Sequence, residues 1–351
     1  MRSVPDPRPG VAVQAGSVPL AVEVAREAEL RGLPSFWSSE FYDRSAVVTL
    51  AAAASATSRI RLGSAIAWAL GRTPVTLATE FRSLAEIAPG RITLGVGTGN
   101  PQVITDWHGL DAARPADRLT ELVPLLRRIW EVGTSDVTHE GEFYRCRIAR
   151  DPSLPAWPEP IPGAPGPGAS PPRILVAGGR PAMIRAAGTV GDGLIGLPLC
   201  SRAFCEEQVR PVLAEAGRKA GRAEPVPVTG MVICAVAEDS GTARSLAAAQ
   251  VAVFAARESA APLMEFHGFA PEVAAIREAL GRRDVRALAA AVSDRMLDTL
   301  AVYGTPKEAG ERYLESFAGV YDDPLVFTAG KGMPPGALRD SLLGACEAFG
   351  D

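Results

Sequence analysis

Arg91-Ile92-Thr93-Leu94-Gly95-Val96-Gly97-Thr98-Gly99-Asn100 decides the fold. A short apolar run with β-branched residues passes straight into alternating glycines, so strand residues give way to backbone that can approach a ligand closely or take positive φ. Pro101 follows, then a polar stretch, then a strongly periodic helix with Leu119, Leu122, Val123, Leu126, Ile129 and Trp130 on one face. This is a strand whose C-terminal end has been cleared of side chains, the usual place for a ligand site in α/β folds. A glycine-alternating run by itself fits a tight turn without any ligand equally well. Its weight comes from similar strand ends elsewhere in the chain.

Working outward, Val11-Ala12-Val13-Gln14 reads as a first buried strand, after a proline-rich leader at 1–10. Ser17 caps a helix that Gly32 ends. Ser35–Ser39 reads as the second strand, ending at Glu40, and an alanine-rich helix covers 46–57. Arg59–Gly63 begins the third strand, and a helix runs from Thr73-Pro74 to Ile87 before the fourth strand at Arg91–Val96. The alternation resumes at Arg173–Ala177, continues through a helix from Pro181 to Val190 and a strand at Asp192–Leu197, and closes with strands at Val226–Ala237 and Pro324–Thr328. Short connections between successive strands specify parallel pairing with right-handed crossovers. Eight such units predict an α/β fold, a (β/α)8 TIM barrel with a helical insertion between strands 7 and 8, in one domain over 11–351. The insertions fall at 131–172, with a small hairpin near His139–Tyr144 and a proline- and glycine-rich connector at 155–172, and at 240–303, read as helical with breaks at Pro262, Gly268 and Gly281.

Composition narrows the function. In 351 residues, a 47% hydrophobic content supports a large core, and a net charge of −4 argues against nucleic acid or an anionic membrane as partner. The five cysteines are dispersed, without a Cys-x-x-Cys pair, and the three histidines are far apart, so neither a disulfide framework nor a metal site is expected. No charged-then-apolar leader and no run long enough for a membrane span is present, which makes the cytoplasm the simplest location.

Barrel closure would gather Glu40, Ala65-Ile66-Ala67, Gly97–Asn100, Ala177-Gly178-Gly179-Arg180 and Gly196-Leu197-Pro198 around one cavity. Gly178-Gly179-Arg180 precedes a helix opened by Pro181, so exposed N–H groups, a helix N-terminus and a guanidinium form an anion site suited to phosphate; a plain Gly-Gly turn with a solvated arginine is the other reading. Glu40 is either the acid–base or cofactor-orienting group or a rim carboxylate paired with Arg44. Phe41, Tyr42 and Trp68 either shape an apolar substrate pocket or belong to the core. His108 either reaches the site or is a loop histidine bonded to backbone, and His267 reads as structural.

In their joint order and spacing, Ser58–Ile66, Arg72-Thr73-Pro74, Gly90–Gly99, Asp106-Trp107-His108-Gly109, Phe143-Tyr144, Ala177-Gly178-Gly179, Gly191-Asp192-Gly193 and Tyr303-Gly304-Thr305-Pro306 resemble the luciferase-like oxidoreductases. The chain is most similar to their coenzyme F420-dependent branch, which includes methylenetetrahydromethanopterin reductase, over about residues 11–330. The resemblance implies cofactor contacts from Ser39, Glu40, Ala65, Ile66, Gly97, Thr98, Gly99, Asn100, Ala177, Gly178, Gly179 and Arg180. Within that set, Gly178 and Gly179 match the phosphate-binding turn, and Glu40 matches an acidic position near the deazaflavin's polar edge. Ala65-Ile66 matches a strand-three end where F420 relatives carry a non-proline cis peptide, with a bulge that presses backbone against one ring face. One departure stands out: Phe41 occupies the place where many relatives have histidine, so that proton donor is missing.

Three functions follow as alternatives. The first is an F420-dependent oxidoreductase transferring a hydride to or from a small, partly hydrophobic substrate with a C=O, C=N or C=C bond, with Glu40 catalytic and Phe41, Tyr42 and Trp68 at the substrate. The second is an FMN-dependent two-component monooxygenase of the same fold, and the third a catalytically silent flavin- or deazaflavin-binding protein. A Schiff-base aldolase is disfavoured, because no lysine lies on the first six strands and Lys331 follows the eighth. The resemblance also implies a homodimer.

Overall fold

Capping side chains and prolines set the helix starts, and apolar runs between them form the strands of a computed structural model that describes residues 8–153, 171–330 and 333–351. Most of the leader at 1–10, most of the connector at 155–172, and Lys331 lie outside the described residues. The first elements are β1 (Gly10–Val13), α1 (Val18–Leu30), β2 (Ser35–Ser38), α2 (Ala46–Ala56), β3 (Arg61–Ser64), β4 (Ala67–Trp68) and α3 (Pro74–Ile87). There follow β5 (Ile92–Gly97), α4 (Pro101–His108), α5 (Pro115–Trp130), β6 (Val137–Glu140), β7 (Arg145–Ile148), β8 (Arg173–Ala177), α6 (Pro181–Val190) and β9 (Gly193–Ile195). The remaining strands are β10 (Val228–Thr229), β11 (Met231–Val236), β12 (Ala301–Gly304) and β13 (Leu325–Thr328).

Hydroxyl caps open the helices after the early strands. Ser17 accepts the Leu20 N–H, Ser45 that of Val48 and Thr73 that of Thr76, each satisfying a donor of the first turn. Proline in the first turn of α1 and α3 costs nothing there, because its missing N–H would be unpaired anyway.

The chain forms two compact units and passes between them after Trp37, Leu194, Val212 and Val226. One unit comprises Met1–Trp37, Ile195–Val212 and Pro227–Asp351. In it, β13 runs parallel to β1 on one side and to β11 on the other, and β12 adds a further parallel strand beside β11. The other unit comprises Ser38–Leu194 and Leu213–Val226. Here β5 lies between β3–β4 and β8, again all parallel. These strands are buried along nearly their whole length, the pattern of parallel sheet covered by helices. Phe81 and Leu84 of α3, Leu122 and Leu126 of α5, and Ile184 of α6 are buried in this unit.

Two sequence expectations need correction. Residues 101–108, read as a polar stretch, form α4, and residues 301–304, read as the end of the helical insertion, form the strand β12. The hairpin in the 131–172 insertion is present as antiparallel β6–β7.

Candidate active site

The parallel order of β3, β5 and β8 brings their C-terminal ends, and with them most of the candidate residues, to the same end of one unit. At the end of β3 the ladder slips. Gly63 pairs with Thr93, but Ala67 pairs with Val96, so four steps (63 to 67) oppose three (93 to 96) and one residue bulges out. The Ala65–Ile66 peptide within the bulge is cis. Neighbours take up the polar groups that the slip releases. Ser64 Oγ donates to Gly95 O (2.8 Å) and accepts from Gly95 N–H (3.0 Å), replacing ladder bonds with a side chain. Ala65 N–H donates to Ser38 O (2.9 Å), Ser39 Oγ to Ala65 O (2.6 Å), and Glu40 N–H to Ile66 O (3.2 Å).

Gly97 leaves room opposite the bulge: a Cβ there would stand 2.3 Å from Ile66 Cδ1 and 3.3 Å from Ala177 Cβ, so a side chain at 97 would have to displace the end of Ile66. Gly99 has φ +73°, open to glycine at no steric cost. Asn100 then caps α4, its Oδ1 accepting the Gln102 N–H at 2.9 Å. Thr98 is buried, and Ile66 and Gly99 are partly exposed.

Glu40 is held by Arg72. Arg72 Nη1 donates to Glu40 Oε2 and Nη2 to Oε1, both at 2.6 Å, and the Trp68 N–H adds a bond to Oε2 at 2.8 Å. Arg72 Nε donates to Glu80 Oε2 at 2.6 Å, completing a Glu40–Arg72–Glu80 triad. The expected alternative partner, Arg44, takes no part. Burial opposes the charge on Arg72, but the bonds and charges of Glu40 and Glu80 outweigh it and hold its pKa above the usual value. With both oxygens engaged, Glu40 is a fixed carboxylate.

Aromatic rings gather beside this triad. Phe41 lies 4.8 Å from Tyr42 and 5.0 Å from Trp107 between centroids, and Trp107 is 5.1 Å from Tyr42 and 5.8 Å from Trp68. Phe41 meets Trp68 edge-on at 6.5 Å, and so does His108, at 5.3 Å. Trp68 is buried, whereas Tyr42 is 71% exposed and Trp107 41% exposed. The three aromatics expected at the substrate are therefore together. Arg72 and Trp107 carried no expected site role, whereas one of the two readings of His108 placed it there. His108 is the last residue of α4, not of a loop.

At the end of β8, Ala177, Gly178 and Gly179 are partly exposed and Arg180 is exposed. Met183 fills the space over Gly178, where a Cβ would stand 2.3 Å from Met183 Cβ. Arg180 is the N-cap residue of α6, its side chain makes no cap bond, and Pro181 opens the helix without an N–H.

Away from this face, Glu121 organises the β6–β7 hairpin, accepting from the Phe143 and Tyr144 N–H groups (3.0 and 2.9 Å) and lying 2.9 Å from His139 Nε2. His267 bonds Ser201, the cap of a short helix, at 2.8 Å. Among the described residues, no group of three histidines, cysteines or acidic residues could hold a metal ion, and no helix is long and apolar enough to cross a membrane.

Residues 4–323 match the model of the luciferase-like monooxygenase family. The chain belongs to that family. Among its relatives is the 5,10-methylenetetrahydromethanopterin reductase of Archaeoglobus fulgidus, 29% identical over 302 residues, or 84% of this chain and 85% of the relative. Among solved structures, it resembles the F420-dependent tetrahydromethanopterin reductase of Methanopyrus kandleri with a TM-score of 0.75 at 21% identity, covering 96% and 97% of the two chains. It also resembles a monooxygenase from Streptomyces bottropensis, with a TM-score of 0.64 at 23% identity over 95% and 92%. At these identities the solved structures speak to fold, and the luciferase-like chain has the (β/α)8 class its alternation predicts, with the insertion between the seventh and eighth strands. The luciferase-like family thus includes neighbours of both reductase and monooxygenase type.

Proposed function

We propose that this protein is an F420-dependent oxidoreductase, transferring a hydride between the deazaflavin and a small, partly hydrophobic organic substrate bearing a C=O, C=N or C=C bond. One observation carries the reading: the bulged Ala65–Ile66 end of strand three stands beside a strand end, Gly97–Gly99, where glycines flank the buried Thr98. Backbone and one aliphatic side chain make a wall suited to the face of a flat ring. The chemistry of the donors fits the rest of such a cofactor. Ser39, Glu40, Thr98 and Asn100 offer polar groups around the wall, and Ala177–Arg180 at the N-terminus of α6 suit a phosphate. The bound deazaflavin would supply the hydride chemistry.

Within this reading the chain binds and orients. Glu40, clamped by Arg72, serves as a positioning carboxylate at the ring's polar edge, and Phe41, Tyr42 and Trp68 bound the substrate space. Phe41 holds no proton, which suits a transfer in which that position gives none. The same proposal includes one functional domain over 11–351, a homodimer and a cytoplasmic location.

FMN is the second reading, favoured by the structural likeness to a monooxygenase. Titrating the purified protein with F420 and with FMN separates the two. Saturable F420 binding with little FMN binding is expected; tight FMN binding without F420 binding overturns the proposal.

A further inference from the structure

Helix α4 closes on itself. At its start Asn100 Oδ1 accepts the Gln102 N–H (2.9 Å), and at its end the Gly109 N–H donates to Thr105 O (3.1 Å) and the Leu110 N–H to Ile104 O (3.3 Å). Thr105 Oγ1 turns back to Pro101 O (3.0 Å). These bonds all stay within residues 100–110, so the helix can move as one body without breaking them. Its hold on the rest of the unit is apolar. Ile104 is fully buried, and the second anchor is Trp107, which is itself 41% exposed. Pro101, Gln102, Thr105, Asp106 and His108 are exposed. Glycines at positive φ stand just outside both ends, Gly99 at +73° and Gly109 at +63°. Glycine changes φ and ψ at little cost, as a hinge requires. A Cβ on Gly109 would meet nothing within 4 Å, so backbone conformation rather than crowding calls for glycine there.

Trp107 sets α4 down on the aromatic residues beside the Glu40–Arg72 pair. It meets Phe41 and Tyr42 edge-on, both at an interplanar angle of 88°, and Trp68 at a tilt of 39°. Edge and tilted contacts of this kind are open to any aromatic ring of similar size. While Trp107 is in place, that position is taken.

We infer that α4 is a lid over the Phe41, Tyr42 and Trp68 face, turning about Gly99 and Gly109, and that Trp107 is its latch, standing in the closed form where an aromatic ring of a ligand would lie. This deepens the proposed function by naming what admits the substrate. It rests on that function for the reaction beneath the lid, but not for the motion or for ring binding.

Hydrogen exchange of the cofactor-free protein, with and without indole as the probe, tests it. Without indole, the amides of α4 should exchange about tenfold or more faster than those of α5, because the lid opens without the core. Indole should bind the parent and speed exchange in α4 alone, since it takes the place of the latch. Trp107→Ala should bind indole about tenfold more tightly, having no latch to displace, with the thermal midpoint unchanged. A fixed wall or core anchor at Trp107 predicts otherwise. Exchange of α4 in step with α5, no indole binding by the parent, or slower α4 exchange when indole binds the parent overturns the inference. So does a fall in the midpoint of Trp107→Ala with faster exchange in α5. The expected indole behaviour without F420 binding would keep the lid and sink the cofactor reading; F420 binding with no indole effect on α4 would do the reverse.

Discussion

Glu40 and Arg72, 32 positions apart in sequence, hold each other through two parallel N–H···O bonds of 2.6 Å. The pair joins the end of the second strand to the connection between β4 and α3, and Glu80 anchors its far side. Its side chains are only 10% and 12% exposed, so solvent screening does little to weaken it.

Removing one partner of such a pair should cost more than the pair itself is worth, since the other is left buried and charged. Arg72→Met is expected to destabilise the protein by about 3–5 kcal/mol in urea unfolding. Glu40→Gln keeps an acceptor for the Trp68 N–H and leaves Arg72 with Glu80, so its loss should be clearly smaller. Equal losses would mean that the triad does not share its charge as drawn.

Ser64 stands in for the ladder where the strand slips. Its hydroxyl satisfies both the N–H and the C=O of Gly95 in a fully buried position. Ser64→Ala should therefore cost about 1–3 kcal/mol, the price of leaving buried polar groups unmet. A thermal melt that superimposes on the parent's would show that the bulge does not depend on this side chain.

Gly97→Ala should push Ile66 aside, because the added Cβ would stand 2.3 Å from Ile66 Cδ1. Overpacking of this kind costs about 1–3 kcal/mol. Ile66→Ala removes the atom in the way, so the double variant should be more stable than the sum of the single losses implies. Simple additivity in a double-mutant cycle would contradict the contact.

How far this face could be read from sequence depends on whether the signal is local. The ends of β5 and β8 were legible because apolar runs stop abruptly at glycines. Phe41, Tyr42 and Trp68 were legible because aromatics beside a strand end narrow the choice. Helix α4 was not, since Ile104 is its one buried residue and leaves no apolar period to detect. With the helix went Trp107, and the placing of His108 on a helix rather than a loop. β12 was missed because Ala301-Val302-Tyr303-Gly304 follows a helical run with no breaker between. The pairing of Glu40 had no local mark at all: Arg44 is near in sequence, but the folded chain turns that carboxylate toward Arg72.

Glu121 links the hairpin to pH. Burial works to raise its pKa, but the hydrogen bonds from His139 and from the Phe143 and Tyr144 N–H groups, with the His139 charge, outweigh it and hold the group below the ordinary carboxylate value. A depressed folded pKa contributes stability that is present above the unfolded value of about 4.3 and is lost as pH falls through the folded value. Protection of residues 137–148 against hydrogen exchange should therefore decline on acidification across that window. In Glu121→Gln the protection should be lower at neutral pH and the decline should flatten. An unchanged decline would place the acid-sensitive group elsewhere.

We propose that the Ala65–Ile66 bulge, the Gly97–Asn100 strand end and the Ala177–Arg180 turn cradle a single phosphate-bearing ring cofactor. A crystal structure of the protein grown with F420 tests this most directly. The deazaflavin face is expected against Ala65–Ile66, with Gly97–Asn100 beside it and the phosphate at the first turn of α6. A deazaflavin bound away from that bulge, or a phosphate held by other residues, would contradict it.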